Sequence, residues 1–271
     1  MLSWASMASA QPPKSLSNAR SYFAQFSYPI TKSEAIYWQS PFAPSRHSRS
    51  NRESSLIRKQ RFVFSKPKWQ IAKKIGESLS HIPTIQAIFV TGALSMDNCP
   101  EDDDIDIMLV TRPHTLWLTR AIVVVYLTLK NLRRPPSLPE HSSPRVKDKI
   151  CDNLYLDANS LRLTTNDLYI AHEILQAKCI FDRGGIHHQF LAQNSWVKKY
   201  LPVAYKQTLS SLVMLSRNEA SRPNLLFKIL NSLFFLLQYS YMKPKITQEK
   251  ITLGSAFFHP RSSISASQDA F

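Results

Sequence analysis

Two aspartates, Asp104 and Asp106, flank a single isoleucine at the head of the apolar run Ile105–Val110. Side chains two positions apart on a β-strand share a face. This spacing therefore sets two carboxylates side by side and turns Ile105 and Ile107 toward a core. Adjacent carboxylates repel, and without a cation between them one keeps its proton. Hard oxygen donors of this kind suit Mg2+ or Mn2+, held by one or two carboxylates together with substrate phosphates. Upstream, the apolar run Ile85–Val90 ends at Thr91-Gly92. Glycine has no Cβ, so the backbone there can lie close to a phosphate, and Ser95 offers a hydroxyl donor nearby.

Competing motifs fit less well. A calcium loop counted from Asp102 needs glycine at its sixth position and glutamate at its twelfth, where the chain has Ile107 and Pro113. A phosphate-binding P-loop needs Gly-Lys-Ser or Gly-Lys-Thr, and neither triplet occurs. His172-Glu173 lacks the second histidine of a zinc-protease helix, because Gln176 stands in its place. These two residues, with His187, His188 and His259, read as packing or surface groups. Trp117, Trp196 and Phe234-Phe235 read as core, and Arg133-Arg134 as a solvated loop. Asp-x-Asp alone also describes a solvated acidic turn; the strand and glycine ahead of it favour the metal site.

The order of strand Ile88–Val90, Gly92, a spacer and Asp104-Ile-Asp106 resembles the DNA polymerase beta-like nucleotidyltransferase superfamily. The phrase Val90-Thr-Gly-Ala-Leu-Ser-Met is similar to a group of bacterial nucleotidyltransferase-domain proteins. So are Leu116-Trp-Leu-Thr-Arg, Ala171-His-Glu-Ile-Leu, Asn194-Ser-Trp-Val, Tyr241-Met-Lys and Phe257-Phe-His-Pro, and the likeness covers most of residues 19–260. It implies transfer of a nucleoside monophosphate from an NTP to an acceptor hydroxyl, with nucleic acid among the candidate acceptors. Asp104 and Asp106 would hold the metal, and Gly92, Ala93 and Ser95 would line the nucleotide. Ala93 departs from the serine usual after the glycine. A third carboxylate belongs on a later strand; Asp152 is taken for it, although it shares parity with apolar Ile150, Leu154 and Leu156, and Asp157 at the strand end is the alternative. The other readings are an inactive protein of this fold that binds nucleotide or nucleic acid, and a toxin–antitoxin component.

These residues need a scaffold of the α/β (α+β) class: a small mixed sheet with flanking helices and a helical C-terminal region. Strands are expected at Ile85–Val90, Ile105–Val110 and Lys149–Leu156, with helices at Lys68–Ile82 and Thr115–Lys130. Further helices are expected near 165–178, 187–200, 203–217 and 224–242. Residues 1–18 read as a flexible tail and 19–66 as a helix-turn-helix-like element followed by a basic Ser/Pro-rich linker. Within it, Thr31 and Glu34 have capping-box spacing. Residues 67–163 form the expected core, 164–260 the helical region and 261–271 a tail.

Composition sets the outer bounds. Hydrophobic residues make up 44% of 271, which supports a core and excludes wholesale disorder. The net charge of +15 favours a polyanionic partner or substrate. The cysteines Cys99, Cys151 and Cys179 are odd in number and scattered, which suits a reducing cytoplasm rather than a disulfide framework. The apolar runs Leu116–Leu129 and Leu225–Leu237 are interrupted by Arg120 and Lys228 and are short for a bilayer. They read as buried helices, with no membrane partner expected.

Overall fold

Runs of β-branched and aromatic side chains, buried on both faces, make the three central strands: β1 (Ile85–Val90), β2 (Ile105–Thr111) and β3 (Ile150–Asp157). The computed structural model describes residues 23, 28, 30–40, 52–135, 146–212, 225–246 and 249–258. Three more strands, β4 (Lys178–Asp182), β5 (Lys250–Ile251) and β6 (Ser255–Phe257), complete a six-stranded sheet of order β4-β1-β2-β3-β6-β5. β2 and β3 are parallel, and the other neighbouring pairs are antiparallel. The chain is thus mixed α/β, consistent with the α+β expectation. The stretch 164–260 is not purely helical, since it supplies β4, β5 and β6. These strands were missed because they are short and carry no clear alternation.

Eight helices cover the sheet among the described residues: α1 (Lys32–Tyr37), α2 (Arg52–Ser80), α3 (Gly92–Ser95), α4 (Leu116–Leu129), α5 (Leu168–Gln176), α6 (Ile186–Gln193), α7 (Pro202–Ser211) and α8 (Leu225–Met242). Ile88, Val90, Ile105, Ile107 and Leu109 pack on the side of α2 and α4. Ala87, Phe89, Met108, Val110, Leu154 and Leu156 pack with α5, α6 and α7 on the other. The capping box forms: the Thr31 hydroxyl accepts the Glu34 N–H at 3.2 Å, and Glu34 Oε2 accepts the Thr31 N–H at 2.7 Å. Glu34 is also gripped by both Arg58 guanidinium nitrogens at 2.5 Å.

Two expectations need correction. The second half of the basic stretch 41–66 is no linker, because α2 begins at Arg52 and runs through Pro67. Proline there frees the Val63 carbonyl. Val63 is 59% exposed, so water can take up that acceptor. Leu225–Leu237 is helical as expected, but most of its leucines are exposed rather than buried. The tails at 1–18 and 261–271, residues 18–22, Arg46, Arg49 and His259 lie outside the described residues.

Candidate metal and phosphate site

β1 ends, and β2 and β3 begin, at one edge of the sheet. The Thr91 N–H donates to the Asp106 carbonyl at 3.0 Å, which ties the turn after β1 to the start of β2. Asp104 is buried and Asp106 partly so, with their side chains on one face as the spacing required. On β3, Cys151 stands opposite Asp106 in the parallel register. One ligand atom from each of Asp104, Asp106 and Cys151 lies within 4.8 Å of the others.

The neighbours set the charge of this cluster. Arg134 Nη1 stands 3.1 Å from Asp104 Oδ2 and 3.6 Å from Cys151 Sγ. Burial opposes the guanidinium charge, but the charges of Asp104 and Asp106 outweigh it and raise the Arg134 pKa. Burial and the two aspartates push the Cys151 thiol well up, so it stays protonated. Asn153 Nδ2 donates to Asp106 Oδ1 at 2.8 Å, while the buried Asn153 Oδ1 receives no hydrogen bond. The buried Thr91 hydroxyl also has no partner.

The acidic loop ahead of Asp104 is fixed by Lys68, which is 1% exposed. Its ammonium donates to the Asp103 carbonyl at 2.6 Å and to Asp148 Oδ1 at 2.7 Å. One buried cation thereby joins α2, the acidic loop and the turn before β3. Trp69 Nε1 adds a bond to Asp97 Oδ1 at 2.7 Å.

Of the sequence-derived residues, Asp104 and Asp106 converge and Gly92 abuts Asp106. The φ of Gly92 is +60°, and a Cβ there would sit 2.4 Å from Asp106 Oδ2. The missing side chain makes room for the carboxylate. Ser95 donates its proton to the Gly92 carbonyl at 2.8 Å and so closes its own turn. Ala93 is buried beside it.

Asp152 does not join the pair. Its Oδ1 accepts from Arg133 Nε at 2.7 Å and its Oδ2 from the Tyr155 hydroxyl at 2.9 Å, on the α4 side of the sheet. A bulge is the cause: Asp106 and Met108 are two apart, while their partners Cys151 and Leu154 are three apart. Leu154 therefore faces opposite to Ile150, and Asp152 keeps Ile150's side. Asp157 pairs with Thr111 at the far end of β2. There its carboxylate accepts from the His114 and Asn159 N–H groups at 2.6 and 2.9 Å. Sequence reasoning missed Lys68 and placed Arg133-Arg134 in solvent. The two arginines instead part across the sheet, one to Asp152 and one to Asp104. The compensating acids within reach were the only available signal. His172 is packed between Phe23 and Trp38, as a packing residue should be.

No protein-family model, curated protein or solved structure matches this chain. The site therefore stands on its own chemistry. Two carboxylates, a neighbouring amide oxygen without a donor and the cradle at Gly92 fit one hard divalent cation that keeps open positions for phosphate oxygens. Among the described residues no third carboxylate joins them, and the soft sulfur of Cys151 is a poor ligand for Mg2+.

Proposed function

We propose that this chain binds a nucleoside triphosphate together with one Mg2+ or Mn2+ ion at Asp104 and Asp106, as a nucleotidyltransferase-like protein specialised for binding rather than turnover. One observation carries the reading: the β3 positions beside Asp106 hold Cys151 and Asn153 where a third acid is needed. A two-metal displacement requires ligands for both ions. The formal balance at the edge is two carboxylates against the one guanidinium of Arg134. That balance suits one cation whose remaining ligands are phosphate oxygens. When bound, the ion would neutralise polyphosphate charge. Arg134 would share that task while holding Asp104 in place, and Asn153 would orient Asp106.

Calorimetry with each of the four common NTPs, with and without Mg2+, tests the reading. Binding should require the ion and disappear in Asp104→Asn with Asp106→Asn. Labelled NTP and total RNA should yield no more product than that double variant. Turnover abolished by Asp106→Asn would instead assign nucleotidyl transfer. Absence of Mg2+-dependent nucleotide binding would overturn the site altogether.

A further inference from the structure

Helix α8 is apolar on both its faces. A helix on a soluble protein turns its apolar stripe inward and its polar residues to water. In α8, the inward face carries Phe234, Phe235 and Met242 together with two amides. Asn231 is 4% exposed and accepts the Trp117 N–H at 2.8 Å, while Gln238 Nε2 donates to the Trp117 carbonyl at 2.8 Å. Phe235 packs against Trp117 from the same side, with ring centroids 5.1 Å apart. The outward face carries Leu226, Ile229, Leu233, Leu236 and Leu237, each 50–60% exposed. The adjoining helix α4 adds a stripe of Ile122, Val125 and Leu129, the last 81% exposed. By length and composition α8 could cross a bilayer, yet its amides pin it alongside α4. Such a helix lies on a membrane surface rather than through it.

Charge selects the occupant. α8 contains no aspartate or glutamate. Lys228 on its flank, at helical spacing from Asn231 and Phe235, Lys243 just past its end, and Lys130 beyond α4 are all exposed cations. The chain as a whole carries +15. A second copy would bring the same positive charge to the same face, whereas an anionic bilayer attracts it. Tyr239 and Tyr241 near the helix end, followed by Lys243, match the aromatic and basic groups found at the level of lipid headgroups. We propose that the outward face of α8, with the exposed stripe of α4, docks on an anionic lipid surface and places the protein at a membrane. This revises the sequence-based expectation that no membrane is involved, and it does not depend on the nucleotide reading.

Flotation of the full chain tests it, with vesicles of phosphatidylglycerol and phosphatidylcholine in equal parts and with phosphatidylcholine alone. The protein should float with the anionic vesicles, and much less with the neutral ones. Replacing Ile229, Leu233 and Leu237 together by aspartate should lower the bound fraction by more than about tenfold. These side chains are exposed, so circular dichroism should remain unchanged. Lys228→Glu with Lys243→Glu leaves the apolar face intact and should weaken anionic-vesicle binding by about thirtyfold or more, since losing each basic group near such a surface costs about fivefold and two are reversed. Failure to float with anionic vesicles overturns the proposal, as does binding unaffected by either variant or equal binding to neutral vesicles. A lipid-free dimer that the triple substitution dissociates also overturns it, and assigns the face to a second copy.

Discussion

Gly92→Ala probes the site through geometry rather than charge. A methyl group there would stand 2.4 Å from Asp106 Oδ2 and 3.2 Å from its Cγ. Ordinary contact lies at about 3.5–4.0 Å, so the carboxylate must move by roughly 1 Å. That movement breaks the 2.8 Å bond from Asn153 Nδ2. Loss of a hydrogen bond to a charged group costs about 1.5–3 kcal/mol. Holding alanine at φ +60° adds about 1–2 kcal/mol. A destabilisation of about 3 kcal/mol follows, read as a lower urea midpoint at unchanged m-value. Displacement of one of two carboxylates should also weaken Mg2+–NTP binding more than about tenfold. Gly76→Ala is the control. Its φ is not left-handed, and its Cβ would meet only the flexible end of Ile180, at 2.6 Å. It should leave nucleotide affinity unchanged. If Gly92→Ala binds Mg2+–NTP like the wild type, Gly92 does not shape the metal site.

Three further outcomes can be checked. Arg134→Gln leaves Asp104 without its buried cation, which costs about 3–5 kcal/mol; the thermal midpoint should drop in chelator and recover in Mg2+ by more than the wild type gains, and an equal gain would show that Arg134 and the ion do not compete for Asp104. Asp152→Asn should destabilise the fold through Arg133 and Tyr155 while leaving Mg2+–NTP affinity within about twofold, and a selective loss of nucleotide binding would return Asp152 to the site. Burial raises the Glu173 pKa to about 8, and burial lowers that of His172 to about 3. The folded state then holds more protons than the unfolded at Glu173 between about pH 4.5 and 8, so this group's stability falls as pH rises; His172 acts oppositely below about pH 6.5. Stability should therefore decline from pH 6.5 to 8, and Glu173→Gln should flatten that decline in urea titrations at successive pH values; an unchanged slope would refute the assignment.

The legible part of the site was the part governed by strict period two. Asp104-Ile-Asp106 had to share a face, and it does. The third acid was illegible because it depended on parity across β3, where one extra residue at the bulge reverses the facing of everything beyond it. Arg133 and Arg134 were misplaced for a related reason. A polar dipeptide next to prolines reads as loop, yet Arg133 forms an isolated bridge with Ile150, and its neighbour turns to the opposite side. The start of α2 was hidden by Ser/Pro composition and by Pro67, which a helix tolerates where the freed carbonyl meets water. The central strands and α4 were recovered nearly to the residue because burial on both faces leaves long apolar runs.

Local rules of polarity are broken at two places, and both point outward to ligands. At the sheet edge, Asp104 and Arg134 are withdrawn from water, and Asp106 partly so, beside an amide oxygen that receives no hydrogen bond. On α8, leucines face out while amides face in. Each arrangement is unfavourable for an isolated soluble fold, by desolvation in the first case and by exposed apolar area in the second. The proposed cation with phosphates would relieve the first, and the proposed lipid surface the second. The two sites lie on different elements, the first at the β1–β2–β3 edge and the second on α8 and the outer stripe of α4. Deviations from locally consistent design concentrate where a partner completes the structure. The two proposals thus make separate demands on the chain: the first needs only a divalent cation with phosphate oxygens at Asp104 and Asp106, the second only a lipid surface at α8, and each can fail without the other.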